Sequence, residues 1–186
     1  GNLSDAVKAD MNNGPQNCTH LMSILASLCI SRFHACNKPL ALVSMDNCSH
    51  NGEKLATAII TIAGAWKDNG FITDAELDYL KTSVSFPWSM IDKITPRPDS
   101  KVEASLVADG IKDVKAFVTH GGVYVAPFVN SERPEYLVIE DDFPNGRPAL
   151  EKAGILFTDR NTVNKAEKMK VCTCLNPLHT CLAIYG

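Results

Sequence analysis

Apolar positions in the first half of the chain follow two rhythms. Residues 19–33 place Leu21, Ile24, Leu25, Leu28 and Cys29 at spacings of three and four, the stripe of an amphipathic helix, and Asn37-Lys38-Pro39 stops it. Residues 40–45 (Leu-Ala-Leu-Val-Ser-Met) are apolar without alternation and bounded by turn residues, which predicts a parallel strand covered on both faces. After a polar turn at 46–51, residues 52–68 return to the helical rhythm, with Leu55, Ile59, Ile62, Ala63 and Trp66 on one stripe and Asn69-Gly70 as the stop. Thr73 and Glu76 have capping-box spacing, so a further helix runs to about Thr82. Val84-Ser85-Phe86 then enters Pro87 extended.

The pattern changes in the second half. Residues 96–100 read as a loop, and the short runs 116–119 and 123–126 flank His120-Gly121-Gly122 as a hairpin. Tyr136-Leu137-Val138-Ile139 is a strand, and beyond 143–148 the rhythm is helical to the end. Leu3 is followed by a polar, unpatterned stretch to Gln16. The expected class is α/β: the later part of a Rossmann-type parallel sheet with a small antiparallel extension (1–146), then the start of a mainly helical C-terminal domain (147–186). Both ends read as cut, as in an internal fragment of a longer protein.

Composition narrows the function. With 186 residues, 45% hydrophobic, the chain can bury one sizeable core. Its 18 basic and 21 acidic residues, net charge -3, leave no broad basic face for nucleic acid and no polybasic segment for membranes, so small soluble partners are expected and the oligomeric state stays open. No apolar run approaches the roughly 18 residues of a membrane span, and Gly1-Asn2-Leu3-Ser4 lacks the start of a signal peptide, which points to a cytoplasmic protein. Seven cysteines, an odd number without C-x-x-C spacing, suggest reduced thiols. Cys172 and Cys174 with His179 could form half a zinc site, but residues two apart on a helix face different ways, and no metal is expected.

Two clusters carry candidate chemistry. In open α/β sheets ligands bind beyond the carboxyl ends of the strands, where Asp46 and Asn47 stand. The Asn47 amide can both donate to a substrate oxygen and accept from a neighbour, while helix capping is its competing role. Cys48, Ser49 and His50 read as turn residues. Near the C-terminus Lys170, Asn176 and His179 set an ammonium, an amide and an imidazole on one helix, a combination suited to a carbonyl or an alcohol. Lys170 would be the acid or base, Asn176 would stabilise developing negative charge on oxygen, and His179 would orient a hydroxyl; a solvated lysine and a structural histidine are the competing readings.

Several motifs occur together: Val43-Ser44-Met45-Asp46-Asn47-Cys48-Ser49-His50-Asn51-Gly52-Glu53, Ser85-Phe86-Pro87-Trp88-Ser89-Met90-Ile91-Asp92-Lys93-Ile94-Thr95-Pro96, Val138-Ile139-Glu140-Asp141-Asp142-Phe143-Pro144-Asn145-Gly146-Arg147-Pro148, Glu151-Lys152-Ala153-Gly154, Met169-Lys170 and Leu175-Asn176-Pro177-Leu178-His179. In this order they resemble the mannitol dehydrogenase and fructuronate reductase family of polyol-specific long-chain dehydrogenases. The resemblance implies zinc-independent hydride transfer between NAD or NADP and a sugar-derived alcohol, in a cleft between a Rossmann-type domain and a mostly helical one. It implies Lys170 as acid/base, Asn176 and Asn47 as the oxyanion site, and His179, Asn176 and Glu167 at the substrate, with Glu167 near the proton path. Asp92 would lie near the nicotinamide, and Met45, Asn47 and Ile91 would touch the cofactor. Fructuronate and mannonate are the expected pair, ahead of fructose and mannitol. A non-catalytic module that has kept the fold is the rival, and a zinc enzyme using Cys172, Cys174 and His179 is a third reading.

Two departures from the family pattern have structural consequences. Five residues separate Lys170 from Asn176 where the family has four, and on a regular helix at about 100° per residue the extra one turns Lys170 away from His179. A π-bulge would absorb it, and Pro177 supplies a cause of distortion; Lys168 is the reserve lysine. Trp88 stands where many relatives carry asparagine. The Gly-x-Gly-x-x-Gly phosphate turn is absent, and Arg147 is either a partner for a substrate carboxylate or a turn residue.

Overall fold

The computed structural model describes residues 3–131 and 137–186, so Tyr136, the expected first residue of a strand, lies outside the described residues. The chain divides into two compact units, Gly1–Ile91 together with Tyr136–Gly186, and Asp92–Glu135.

The first unit begins with a helix where none was expected, α1 (Asp5–Asn13), capped by Ser4, whose hydroxyl accepts from the Val7 N–H at 3.3 Å. It buries only Val7 and Asp10, too little for an apolar stripe. The Asp10 carboxylate accepts from the N–H groups of Thr19 (3.0 Å) and His20 (2.8 Å), tying α1 to the start of α2 (Leu21–Cys36). The expected helices then follow. The α2 helix stops where Asn37 turns left-handed (φ 48°). The next helix, α3 (Asn51–Asp68), ends in a Schellman motif: Phe71 donates to the Trp66 carbonyl and Gly70 (φ 77°) to that of Lys67. The fourth, α4 (Asp74–Thr82), has the complete Thr73–Glu76 capping box. Ala26, Cys29, Ile30, Ile59, Ile62, Ala63, Trp66, Tyr79 and Leu80 form one core among these helices. Each large side chain buried there contributes about 1.5–3 kcal/mol.

Strand β1 (Leu40–Ala41) pairs in parallel with β2 (Val84–Ser85), and the Leu42 N–H extends the ladder to Ser85 O at 2.9 Å. The strand expected over 40–45 is therefore shorter. The next ladder bond would come from residue 87, and Pro87 has no N–H to give. Residues 43–46 leave the ladder instead, and Met45, expected to be covered on both faces, is 54% exposed.

A second sheet has the order β3-β6-β7: β3 (Ser89–Met90) runs antiparallel to β6 (Val138–Glu140), which runs parallel to β7 (Leu156–Thr158). Strand β7 corrects the expectation of helix throughout the C-terminal stretch, because its backbone finds partners on β6. The Asp159 carboxylate then caps α6 (Arg160–Glu167), accepting from the Thr162 N–H at 3.1 Å, and Val163 packs with Trp88, Met90 and Val138 in a second core. A π-helical segment, Lys168–Leu175, leads into α7 (Asn176–Tyr185).

The second unit holds α5 (Ser100–Ala108), capped by Asp99, and the expected hairpin of β4 (Phe117–Val118) and β5 (Tyr124–Val125). Helix α5 corrects the reading of residue 100 as loop. All seven cysteines are unpaired, and no described helix is long and apolar enough to cross a membrane.

Candidate functional site

The carboxyl end of β1 leads into the turn that carries Asn47. The Asp46 carboxylate accepts from the Cys48 N–H at 2.9 Å, which closes the turn locally. Asn51, 2% exposed, holds it from beneath. Its amide nitrogen donates toward Asp46 O (2.8 Å) and Ser89 Oγ (2.9 Å), with Ser44 O and Ser89 O at 3.3 and 3.1 Å, and its amide oxygen accepts from the N–H groups of Ser89 (3.0 Å) and Gly52 (2.8 Å). Ser89 Oγ in turn donates to Ser44 O at 2.6 Å. Gly52 is required by space: a Cβ there would sit 2.4 Å from Phe86 O and 2.8 Å from Pro87 O, both backbone atoms. His50 takes a left-handed conformation (φ 53°) and stacks on Trp88, ring centroids 4.3 Å apart. Met45 and Asn47 remain exposed on this framework.

Helix α6 meets that turn. Glu167, buried, accepts a hydrogen bond from the Ser49 hydroxyl, and the His50 ring lies 3.2 Å from Asn164 Oδ1. Arg160 pairs with Glu140 at 2.9 Å and lies 5.2 Å over the Trp88 ring, while the Trp88 N–H donates to Glu140 at 3.0 Å. Trp88 thus packs among His50, Arg160 and Glu140. Beyond Glu167 the backbone winds wider. The Asn176 N–H donates to the Val171 carbonyl five residues back, and the Thr173 hydroxyl donates to Lys168 O at 2.8 Å. This wide turn absorbs one residue between Lys170 and Asn176, and Pro177, which has no N–H to donate back along the helix, sits just where the π segment passes into α7.

The sequence-expected residues are distributed unevenly. Lys170 is half-buried on the π segment, next to buried Val171; Asn176 and His179 are exposed on α7, and Lys168 is exposed one residue beyond Glu167. Glu167 is joined to the Asn47 turn through Ser49. Ile91 ends the first of the two segments that make up the first unit, and Asp92 begins the second unit. Neither the cavity of about 630 Å³ bordered by His50 and Glu53 nor that of about 460 Å³ beside Trp88 is lined by Lys170, Asn176 or His179. Arg147 is a turn residue: it pairs with Asp141 (2.7 Å) and Glu151 (2.6 Å) and lies 3.5 Å over the Phe157 ring. Its guanidinium holds the Asp141 carboxyl below the ordinary value. Among the described residues no group of three His, Cys, Asp or Glu side chains is placed to hold a metal ion, and Cys172, Cys174 and His179 all face solvent. Sequence reasoning missed Asn51 and Ser89; the one available signal was Asn-Gly at a helix start directly after the Asp-Asn turn.

The model of the mannitol dehydrogenase Rossmann domain matches residues 7–152. The chain belongs to the mannitol dehydrogenase family. A D-mannonate oxidoreductase of Thermotoga maritima is 50% identical over 188 residues, which is all of this chain and 35% of that protein. A mannitol 2-dehydrogenase of Cereibacter sphaeroides is 32% identical over 95% of this chain and 32% of its own length. Among solved structures, the Pseudomonas fluorescens mannitol 2-dehydrogenase in ternary complex with NAD and D-mannitol superposes with a TM-score of 0.62 at 30% identity, covering 90% of this chain and 30% of that one. A substrate-free D-sorbitol dehydrogenase gives 0.65 at 28% identity, with the same coverage. The chain thus spans about a third of the length of these relatives, and its fold is Rossmann-type.

A Rossmann-type fold implies a dinucleotide at the carboxyl ends of the strands. Beyond β1, Met45 offers an exposed apolar face and Asn47 an exposed amide, both beside the Asp46 turn, where a bound dinucleotide could meet them. No described residue supplies the glycine-rich turn that would hold the pyrophosphate.

Proposed function

We propose that this chain belongs to an NAD(P)-dependent oxidoreductase that interconverts a keto sugar acid and its alcohol, with fructuronate and mannonate as the pair. The substrate class is supported by the 50% identity to a D-mannonate oxidoreductase, and the site by one observation: the turn bearing Asn47 and the helix leading to Lys170 are joined through Ser49–Glu167 and His50–Asn164. When bound, the nicotinamide supplies the hydride acceptor or donor. Met45, Asn47 and Ile91 would hold its ring, with Asp92 the next residue along the chain after Ile91. In alcohol oxidation Lys170 takes the hydroxyl proton and Glu167 passes it toward solvent. The amides of Asn47 and Asn176 stabilise the oxygen as it gains charge, and His179 holds the substrate. The division between the cofactor-binding and helical parts falls near Gly146, and the protein works in the cytoplasm.

The test is NADH and NADPH oxidation by the full-length protein with fructuronate and with fructose, and the reverse with mannonate and mannitol. The expected result is turnover of the sugar acid pair and a fall in kcat of about 10²–10⁴ in Lys170→Ala. Mannitol oxidation without mannonate oxidation would assign the protein to mannitol 2-dehydrogenase activity instead. An undiminished rate in Lys170→Ala would remove that residue as the base.

A further inference from the structure

The amide of Asn51 is used from both ends. Its oxygen faces two backbone N–H groups, Ser89 and Gly52, and its nitrogen faces the carbonyls of Asp46, Ser44 and Ser89 and the Ser89 hydroxyl. Two amide hydrogens divide among these acceptors, with Asp46 O and Ser89 Oγ the nearest, and the Ser89 hydroxyl spends its own hydrogen on Ser44 O. Only a side chain that accepts at one atom and donates twice at the other completes this set. The Asp46 carbonyl belongs to the peptide plane that ends at the Asn47 nitrogen. Fixing that carbonyl therefore fixes the position of the Asn47 Cα, and the bond from the Cys48 N–H to the Asp46 carboxylate restrains the backbone on its far side, so the Asn47 side chain leaves from a backbone held at both ends.

We propose that Asn51, with Ser89, is a positioning residue: the pair locks the Asp46–Asn47 peptide so that the Asn47 amide is held ready for the reacting oxygen. This rests on the oxidoreductase reading for the role of Asn47, and on the hydrogen-bond geometry alone for the lock. Asn51→Asp isolates it. The new carboxylate keeps both accepted N–H bonds but turns a charge toward three carbonyl oxygens and the Ser89 hydroxyl. Burial and those oxygens favour its protonated form, which can again donate to Asp46 O.

In the full-length protein the kcat of Asn51→Asp, as a ratio to wild type at each pH, is expected to fall tenfold or more at pH 8 and to recover on acidification toward pH 5. Ser89→Ala, which removes the smaller half of the lock, is expected to lose about threefold without pH dependence. In an Asn47→Ala background Asn51→Asp is expected to lose nothing further, because the residue acts through Asn47. A pH-independent loss in Asn51→Asp, or an additive loss in the double variant, would overturn the proposal. If the wild type oxidises neither mannonate nor mannitol, the oxidoreductase reading fails separately. The lock is then read from amide hydrogen exchange at Cys48, which should quicken in Asn51→Asp at pH 8 and match wild type at pH 5; unchanged exchange at both would overturn it. Should Asn51→Asp fail to fold, Ser89→Ala carries both measurements, and a wild-type rate together with wild-type exchange in that variant would overturn the lock.

Discussion

The two halves of the candidate site are built in opposite ways. The Asn47 turn stands on residues with no freedom: Asn51 is 2% exposed and bonded at both ends, Gly52 touches backbone, and α3 behind them runs down to Trp66 in the core. The Lys170 half is rooted by the buried Val163, Glu167 and Val171, and no residue of α7 beyond them is buried. Leu178, Leu182 and Ile184 are each more than 60% exposed. Precision on the turn side therefore comes from buried polar geometry, whereas within residues 163–186 the helix side is shaped by a wide turn of backbone.

That contrast can be broken most severely at Gly52. Gly52→Ala places a methyl group against the Phe86 and Pro87 carbonyls and is expected to destabilise the protein by about 3 kcal/mol, the upper end of the overpacking range, measured by urea denaturation. A neutral result would mean that the turn side yields as readily as the helix side. A smaller effect is expected at Asp10. Burial pushes its carboxyl up, but the N–H groups of His20 and Thr19 outweigh burial, and the net value lies below the ordinary one. A folded value depressed in this way contributes stability in full above the unfolded value of about 4, and that contribution is lost as pH falls through the lower folded value. Asp10→Asn is accordingly expected to cost about 1–2 kcal/mol at pH 7 and to flatten part of the stability loss below about pH 4. Superimposable acid limbs in the two proteins would take Asp10 out of that loss. The smallest effect is expected at Leu182→Ala on α7, within about 0.5 kcal/mol when the 186-residue chain itself is measured, since the side chain is 67% exposed there. A loss above 2 kcal/mol there would show that α7 is held as firmly as the turn.

Legibility followed how local each cause was. Helices α2, α3 and α4 each carry their stripe and their stop within a few residues, as the Thr73–Glu76 box and the Gly70 turn illustrate. Helix α1 was invisible because it buries only Val7 and Asp10. The π segment was legible through a mismatch, the extra residue between Lys170 and Asn176 together with Pro177. The Asn51–Ser89 lock was not legible, because its partners stand 38 positions apart and every residue in it also suits a turn.

By itself the sequence determined helices α2, α3 and α4 and the family, and it named the side chains expected to carry acid, base and amide chemistry, since periodicity, caps and motif order are properties of neighbouring residues. Only the tertiary structure decided where β1 stops, because Pro87 arrives from another strand. It also decided that β7 pairs with β6, and that the Asn47 turn rests on Asn51 and meets Glu167. Each of these depends on which backbone atoms are left for a donor or acceptor to find once distant segments have packed together.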